Sequence, residues 1–217
     1  MKKLIIFDLD GTLLNTIADL GHAANYALEQ CGYPTHPISS YPKYVGSGIM
    51  KLLERVLPES AASEERVQAL RPYFIEYYND HIADDTVPYA GIPELLQALT
   101  DSGIKVAVAS NKYQAAVEKL MKLYFPTIPF AATEGQKEGI PVKPDPSIVF
   151  EILGKVPTPK ADVLYVGDSG IDMTTARRAC VESVGVTWGF RPVSELRAAL
   201  ADHIVETPST ILRLATE

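Results

Sequence analysis

Four short apolar runs rich in Val, Ile and Leu punctuate the chain: KLIIF at 3–7, IKVAVA at 104–109, DVLYV at 162–166 and ESVGVT at 182–187. Each leads into a polar turn and then into apolar positions at helical spacing. A strand with one wet face alternates; these runs do not, so both faces are buried, as in a parallel sheet between helical layers. TIPFAA at 127–132 and DHIVE at 202–206 would extend that sheet at its edges. The repeated strand–helix order predicts an α/β fold with a doubly wound, mostly parallel, Rossmann-like sheet.

One region breaks the rhythm. Between about residues 17 and 83 the pattern is helical only. TIADLGHAANYALEQCG (16–32) ends on a glycine stop, IMKLLERVLP (49–58) ends on a proline, and SEERVQALRPYFIEYYNDHI (63–82) opens on a serine with acidic residues in its first turn. Pro72 predicts a kink or a break within the last segment. The expected organisation is therefore a sheet core from residues 1–15 and 85–217, with residues 16–84 inserted as a small helical unit.

Composition narrows the possible functions. The 217 residues are 47% hydrophobic and 22% charged, with a formal net charge of −7, which disfavours a nucleic-acid surface. No apolar run approaches the roughly 20 residues that cross a bilayer, and MKKLIIF breaks at Asp8 too soon for a signal peptide. Cys31 and Cys180 lack metal or redox spacing and are expected as small buried residues in a reducing compartment, so a cytoplasmic location is expected. There is no G-x-x-x-x-G-K-[ST] and no strand-coupled G-x-G-x-x-G to hold a nucleotide.

In such a sheet, residues just beyond the C-terminal strand ends line the ligand crevice. Those positions hold Asp8 and Asp10, then Ser110, Asn111 and Lys112, then Lys143 in VKP, then Asp168, Ser169 and Asp172 in GDSGID. Alternation sets Asp8 and Asp10 on one side of their strand, where two carboxylates repel unless a cation intervenes. Oxygen-rich acidic sets suit Mg2+, here between Asp8 and Asp168. Asp8 can attack phosphorus as a carboxylate nucleophile, and Asp10 can protonate the leaving alkoxide and later take a proton from water. Ser110 and Lys143, with Asn111 beside them, would hold the phosphoryl oxygens. GDSGID also reads as a turn with Ser169 at a helix N-cap and Asp172 in the first turn.

This ordered set resembles the haloacid dehalogenase-like superfamily over nearly the whole chain, through DLDGT, VAVAS, KP and GDSGID. The resemblance implies Asp8 as nucleophile, Asp10 as acid and base, and phosphate binding by Ser110 and Lys143. It implies Mg2+ held by Asp8, the carbonyl of Asp10 and Asp168, with Asp172 behind them and Ser169 alongside it. It also implies that the inserted unit is an α-helical cap. YVGSGIMKLLERVL, SNK and VTWGFRP are most similar to phosphoglycolate phosphatase-like members. An acid at position 10 suits an alkoxide leaving group rather than halide. The function expected is Mg2+-dependent hydrolysis of a small phosphorylated metabolite by a monomer or weak homodimer, with neither nucleic acid nor membrane as partner. The alternatives are a phosphosugar mutase or a pyrophosphatase on the same core, and a non-catalytic phosphometabolite-binding protein.

Overall fold

A computed structural model describes residues 1–217. By their internal contacts they divide into two units, residues 1–15 with 88–217, and residues 16–87.

The first unit is built on six strands: β1 (Leu4–Phe7), β4 (Lys105–Tyr113), β5 (Ala132–Gln136), β6 (Val163–Gly167), β7 (Glu182–Val186) and β8 (His203–Val205). Their order is β5-β4-β1-β6-β7-β8 and every pairing is parallel. All four residues of β1 are fully buried, as expected for a central strand covered on both faces. Phe7 stands opposite Val108 on one side and Val166 on the other. The chain runs outward from β1 in both directions, so the sheet's switch point lies at the C-terminal end of this strand. The helices of this unit are α4 (Ile92–Asp101), α5 (Gln114–Tyr124), α6 (Ser147–Lys155), α7 (Gly170–Ala179), α8 (Val193–Ala198) and α9 (Pro208–Thr216).

Two details differ from the sequence reading. The edge strand β5 lies at Ala132–Gln136, not at 127–132. Pro126 and Pro129 bring no N–H to a ladder, and Ile128 N donates to Phe125 O in a turn there. The actual strand, ATEGQ, carries the buried Glu134, which pairs with Lys137 and Lys155 and so has no apolar signature. The cysteines also depart from expectation: Cys31 is half-buried and Cys180 exposed. Both end helices, and Cys180 takes the left-handed conformation at the C-cap of α7 (φ 58°).

The second unit is helical, with α1 (Ile17–Gln30), α2 (Ile49–Val56) and α3 (Glu64–Asp80). Ser63 caps α3 by accepting from Arg66 N. That helix runs unbroken through Pro72, so no break occurs there. A buried stripe, Val67, Leu70, Phe74 and Tyr78, carries it past the missing donor. Tyr26 of α1 stacks on Tyr77 of α3 at 4.8 Å. Two short strands, β2 (Leu14–Asn15) and β3 (Val87–Pro88), pair where the chain leaves and re-enters the sheet unit. No helix is long and apolar enough to cross a membrane.

Candidate active site

Parallel register decides which residues meet. Asp8 N donates to Val166 O at 2.8 Å, so the β1–β6 ladder carries Asp8 to the C-terminal rim of the sheet. Strand β4 continues through Ser110, Asn111 and Lys112, all buried. β6 ends at Gly167, and Asp168 follows it. Ser169 then caps α7 reciprocally: its hydroxyl accepts from Asp172 N, and Asp172 Oδ2 accepts from Ser169 N. Lys143 reaches in from the loop before α6.

The charges interlock. Lys143 Nζ lies 2.9 Å from Asp8 Oδ1 and 2.8 Å from Asp172 Oδ1, and it donates to Ala109 O at 2.9 Å. Asp8, Asp168 and Asp172 each offer an oxygen within 4.8 Å of the others, and all three are buried. Lys112 Nζ pairs with Asp10 Oδ1 at 3.1 Å. Fully ionised, the four carboxylates of Asp8, Asp10, Asp168 and Asp172 exceed the two ammoniums by two charges. One divalent cation would balance them.

The proton affinities record the same shortage of positive charge. Burial first, then the Asp172 carboxylate, push Asp8 up to about 7, against the pull of Lys143; Asp10 adds least. Burial, Asp172 and Asp8 hold Asp168 well above the usual carboxylate range, although the N–H of Phe190 opposes them. Burial alone would depress Lys143, but Asp172 and Asp8 more than offset it and hold its ammonium well above the ordinary value. Hard, buried, oxygen-only donors short of two positive charges fit Mg2+, with Asp8 and Asp168 as the residues to hold it.

The other residues singled out from sequence behave differently from one another. Ser110 Oγ accepts from Lys112 N at 3.1 Å, which leaves its own O–H proton for another acceptor. Asn111 Oδ1 accepts from Lys143 N at 2.8 Å and its Nδ2 donates to Lys143 O at 3.1 Å, so the side chain holds the Lys143 loop in place.

Several residues at this rim carried no assignment in sequence. Lys112 followed two assigned residues but had no stated partner. Tyr165 is fully buried, its hydroxyl 3.5 Å from Asp172 Oδ1. Tyr89 is half-buried, and burial with the charges of Asp168 and Asp10 raises its phenol. Phe190 donates its backbone N–H to Asp168 Oδ2 at 2.6 Å, and Trp188 Nε1 donates to Thr12 O at 3.1 Å. VTWGFRP signalled likeness without naming these contacts, because one of the donors is main chain.

Comparison with known proteins identifies the family. The family described as haloacid dehalogenase-like hydrolase matches residues 5–186. A phosphoglycolate phosphatase of Aquifex aeolicus (strain VF5) is 33% identical over 220 residues, covering 98% of this chain and 96% of its own. That of Agrobacterium fabrum is 33% identical over 226 residues, covering 100% and 96%. A crystal structure of a candidate phosphoglycolate phosphatase from Lactobacillus delbrueckii subsp. bulgaricus superposes with a TM-score of 0.93 at 34% identity, covering 99% of each chain.

Proposed function

This chain belongs to the haloacid dehalogenase-like hydrolases, and from that premise we propose that it is a phosphatase acting on phosphoglycolate or a kindred small phosphomonoester through an aspartyl-phosphate on Asp8. The observation that carries this reading is the buried meeting of Asp8, Asp168 and Asp172 around Lys143, two charges short of neutrality together with the Asp10–Lys112 pair. The likeness to phosphoglycolate phosphatases over almost the full chain supports the substrate class.

In this reading a carboxylate oxygen of Asp8 attacks phosphorus in line with the leaving alkoxide. Asp10, two residues on and held by Lys112, gives the alkoxide its proton. The same carboxylate then takes a proton from the water that hydrolyses the acyl phosphate. Lys143 and the Ser110 hydroxyl bind the phosphoryl oxygens and stabilise the charge they gain in the transition state. Asp172 and Asn111 keep Lys143 aimed at Asp8. Asp8 and Asp168 would hold Mg2+, whose positive charge would favour the ionised form of Asp8 at neutral pH and the approach of the phosphate.

The test is phosphate release from a panel of small phosphoesters and pyrophosphate, with Mg2+ and with EDTA, for the wild-type chain and Asp8→Asn. Phosphoglycolate should lead the panel, and both EDTA and the substitution should abolish turnover. Equal rates with and without metal, or an active Asp8→Asn enzyme, would refute the proposal.

A further inference from the structure

The segment after β7 closes over the acidic site as a strap. Trp188 ties it to the loop after Asp10 through Thr12 O, and Phe190 N–H holds Asp168 Oδ2. Between them the backbone comes so near that only glycine fits. A Cβ on Gly189 would lie within 3.0 Å of Asp168 Cβ, 2.5 Å from Asp168 Oδ2 and 2.5 Å from Gly11 O. From the other side, a Cβ on Gly11 (φ +88°) would come within 3.0 Å of the Asp168 carboxyl. The Phe190 amide therefore holds Oδ2 in a space that only two glycines leave open, and that amide does not engage Oδ1.

We propose that the Trp188–Gly189–Phe190 strap makes Asp168 offer a divalent cation a single oxygen, and so sets both the affinity of the site and its preference for a small octahedral ion over a larger one. Mg2+ takes one oxygen per carboxylate in a strict octahedron, whereas Ca2+ accepts six to eight ligands and often both oxygens of a carboxylate. A carboxylate with one oxygen tied to an amide suits the first and denies the second. Partners that hold a ligand in place, without touching the ion, typically account for about 10- to 100-fold in metal affinity. These are positioning residues, and the inference rests on the cation reading given under Proposed function.

Calorimetric titration with Mg2+ and with Ca2+, each alone and without substrate, tests it on the wild-type chain, Gly189→Ala and Trp188→Phe, with circular dichroism to confirm folding. Gly189→Ala drives a methyl into Asp168 and should weaken Mg2+ binding by about 10- to 100-fold, with a smaller loss for Ca2+, so that the preference narrows. Trp188→Phe removes the tether without a clash and should narrow the preference to a lesser degree. If Gly189→Ala does not fold, the outcome for Trp188→Phe decides. Folded variants that keep the wild-type preference, even with both affinities reduced equally, overturn the strap's role while the cation site stands. A wild-type chain that binds neither ion overturns the cation reading and the strap with it. Trp188 is the single tryptophan of the chain, so its fluorescence gives a second reading of the wild-type titration.

Discussion

Asp8→Asn should make the metal-free protein more stable at pH 8 while removing its activity. The carboxyl of Asp8 is buried, faces Asp172 and keeps its proton up to about pH 7, against 3.8 in the unfolded chain. Below pH 3.8 it is protonated in both states and contributes nothing. Between 3.8 and about 7 the unfolded chain has lost that proton and the folded one retains it, so stability falls as pH rises; above 7 the loss is complete. A difference of this size corresponds to about 4 kcal/mol. Part of the gain from substitution is returned, because Lys143 loses one of its two carboxylates and keeps Asp172 and Ala109 O. A net gain of about 2 kcal/mol remains, on the order of 4–8 °C in melting temperature for a chain of this length. Asparagine keeps an Oδ1 to accept from Leu9 N, as Asp8 does at 2.7 Å. The assay is thermal unfolding followed by circular dichroism from pH 4 to 8.5 in EDTA, repeated with Mg2+. The gap between variant and wild type should open with rising pH and shrink when Mg2+ is added. A variant less stable than wild type at pH 8 in EDTA would refute the argument, because Asp8 would then stabilise the fold instead of straining it.

Three further outcomes follow from the same contacts. Lys143→Met should act in the opposite direction, costing about 3–5 kcal/mol at pH 8 in denaturant unfolding, because it leaves Asp8 and Asp172 buried without their ammonium. Lys112→Met should lower kcat by about tenfold or more while the protein stays folded, since Asp10 loses the cation 3.1 Å from its Oδ1; steady-state kinetics with an unchanged kcat would remove Lys112 from the mechanism. Asp19→Ala strips an acceptor from Asp85 N, Thr86 N and Thr86 Oγ1. It should destabilise the helical unit by about 2–4 kcal/mol, with faster amide exchange at Asp85 and Thr86.

The sheet core was legible because burial on both faces leaves an unmistakable mark: LIIF, VAVA, VLYV and SVGV admit water on neither side. The acidic rim was legible for a related reason, since carboxylates have few grounds to follow such strands. Polar edge structure was not. β5 hides a buried glutamate, one of whose two lysines is distant in sequence, and only the fold pairs Glu134 with Lys155. The reach of Lys112 back to Asp10 depends on β4 continuing past its apolar part, which no periodicity reveals. The strap was invisible because its hold on Asp168 is a main-chain N–H, and because a glycine shows no sign in sequence of what crowds it. The hold of Asn111 on the Lys143 loop, through both ends of its amide, was hidden as well, because the two residues are 32 apart in sequence.

The place of β1 in the sheet bears on how the polypeptide is made. It lies between β4 and β6, whose first residues, Lys105 and Val163, are translated long after Phe7. At about 5–20 residues per second, a ribosome needs roughly 8–30 s to deliver both neighbours. Until β4 is made LIIF is an apolar segment with no edge to join, and until β6 follows it has a neighbour on one side only, whereas the intervening helices α1 to α3 already hold their own contacts. Nascent-chain holdases should therefore favour this segment, and a ribosome stalled before Val163 should leave it accessible to proteases.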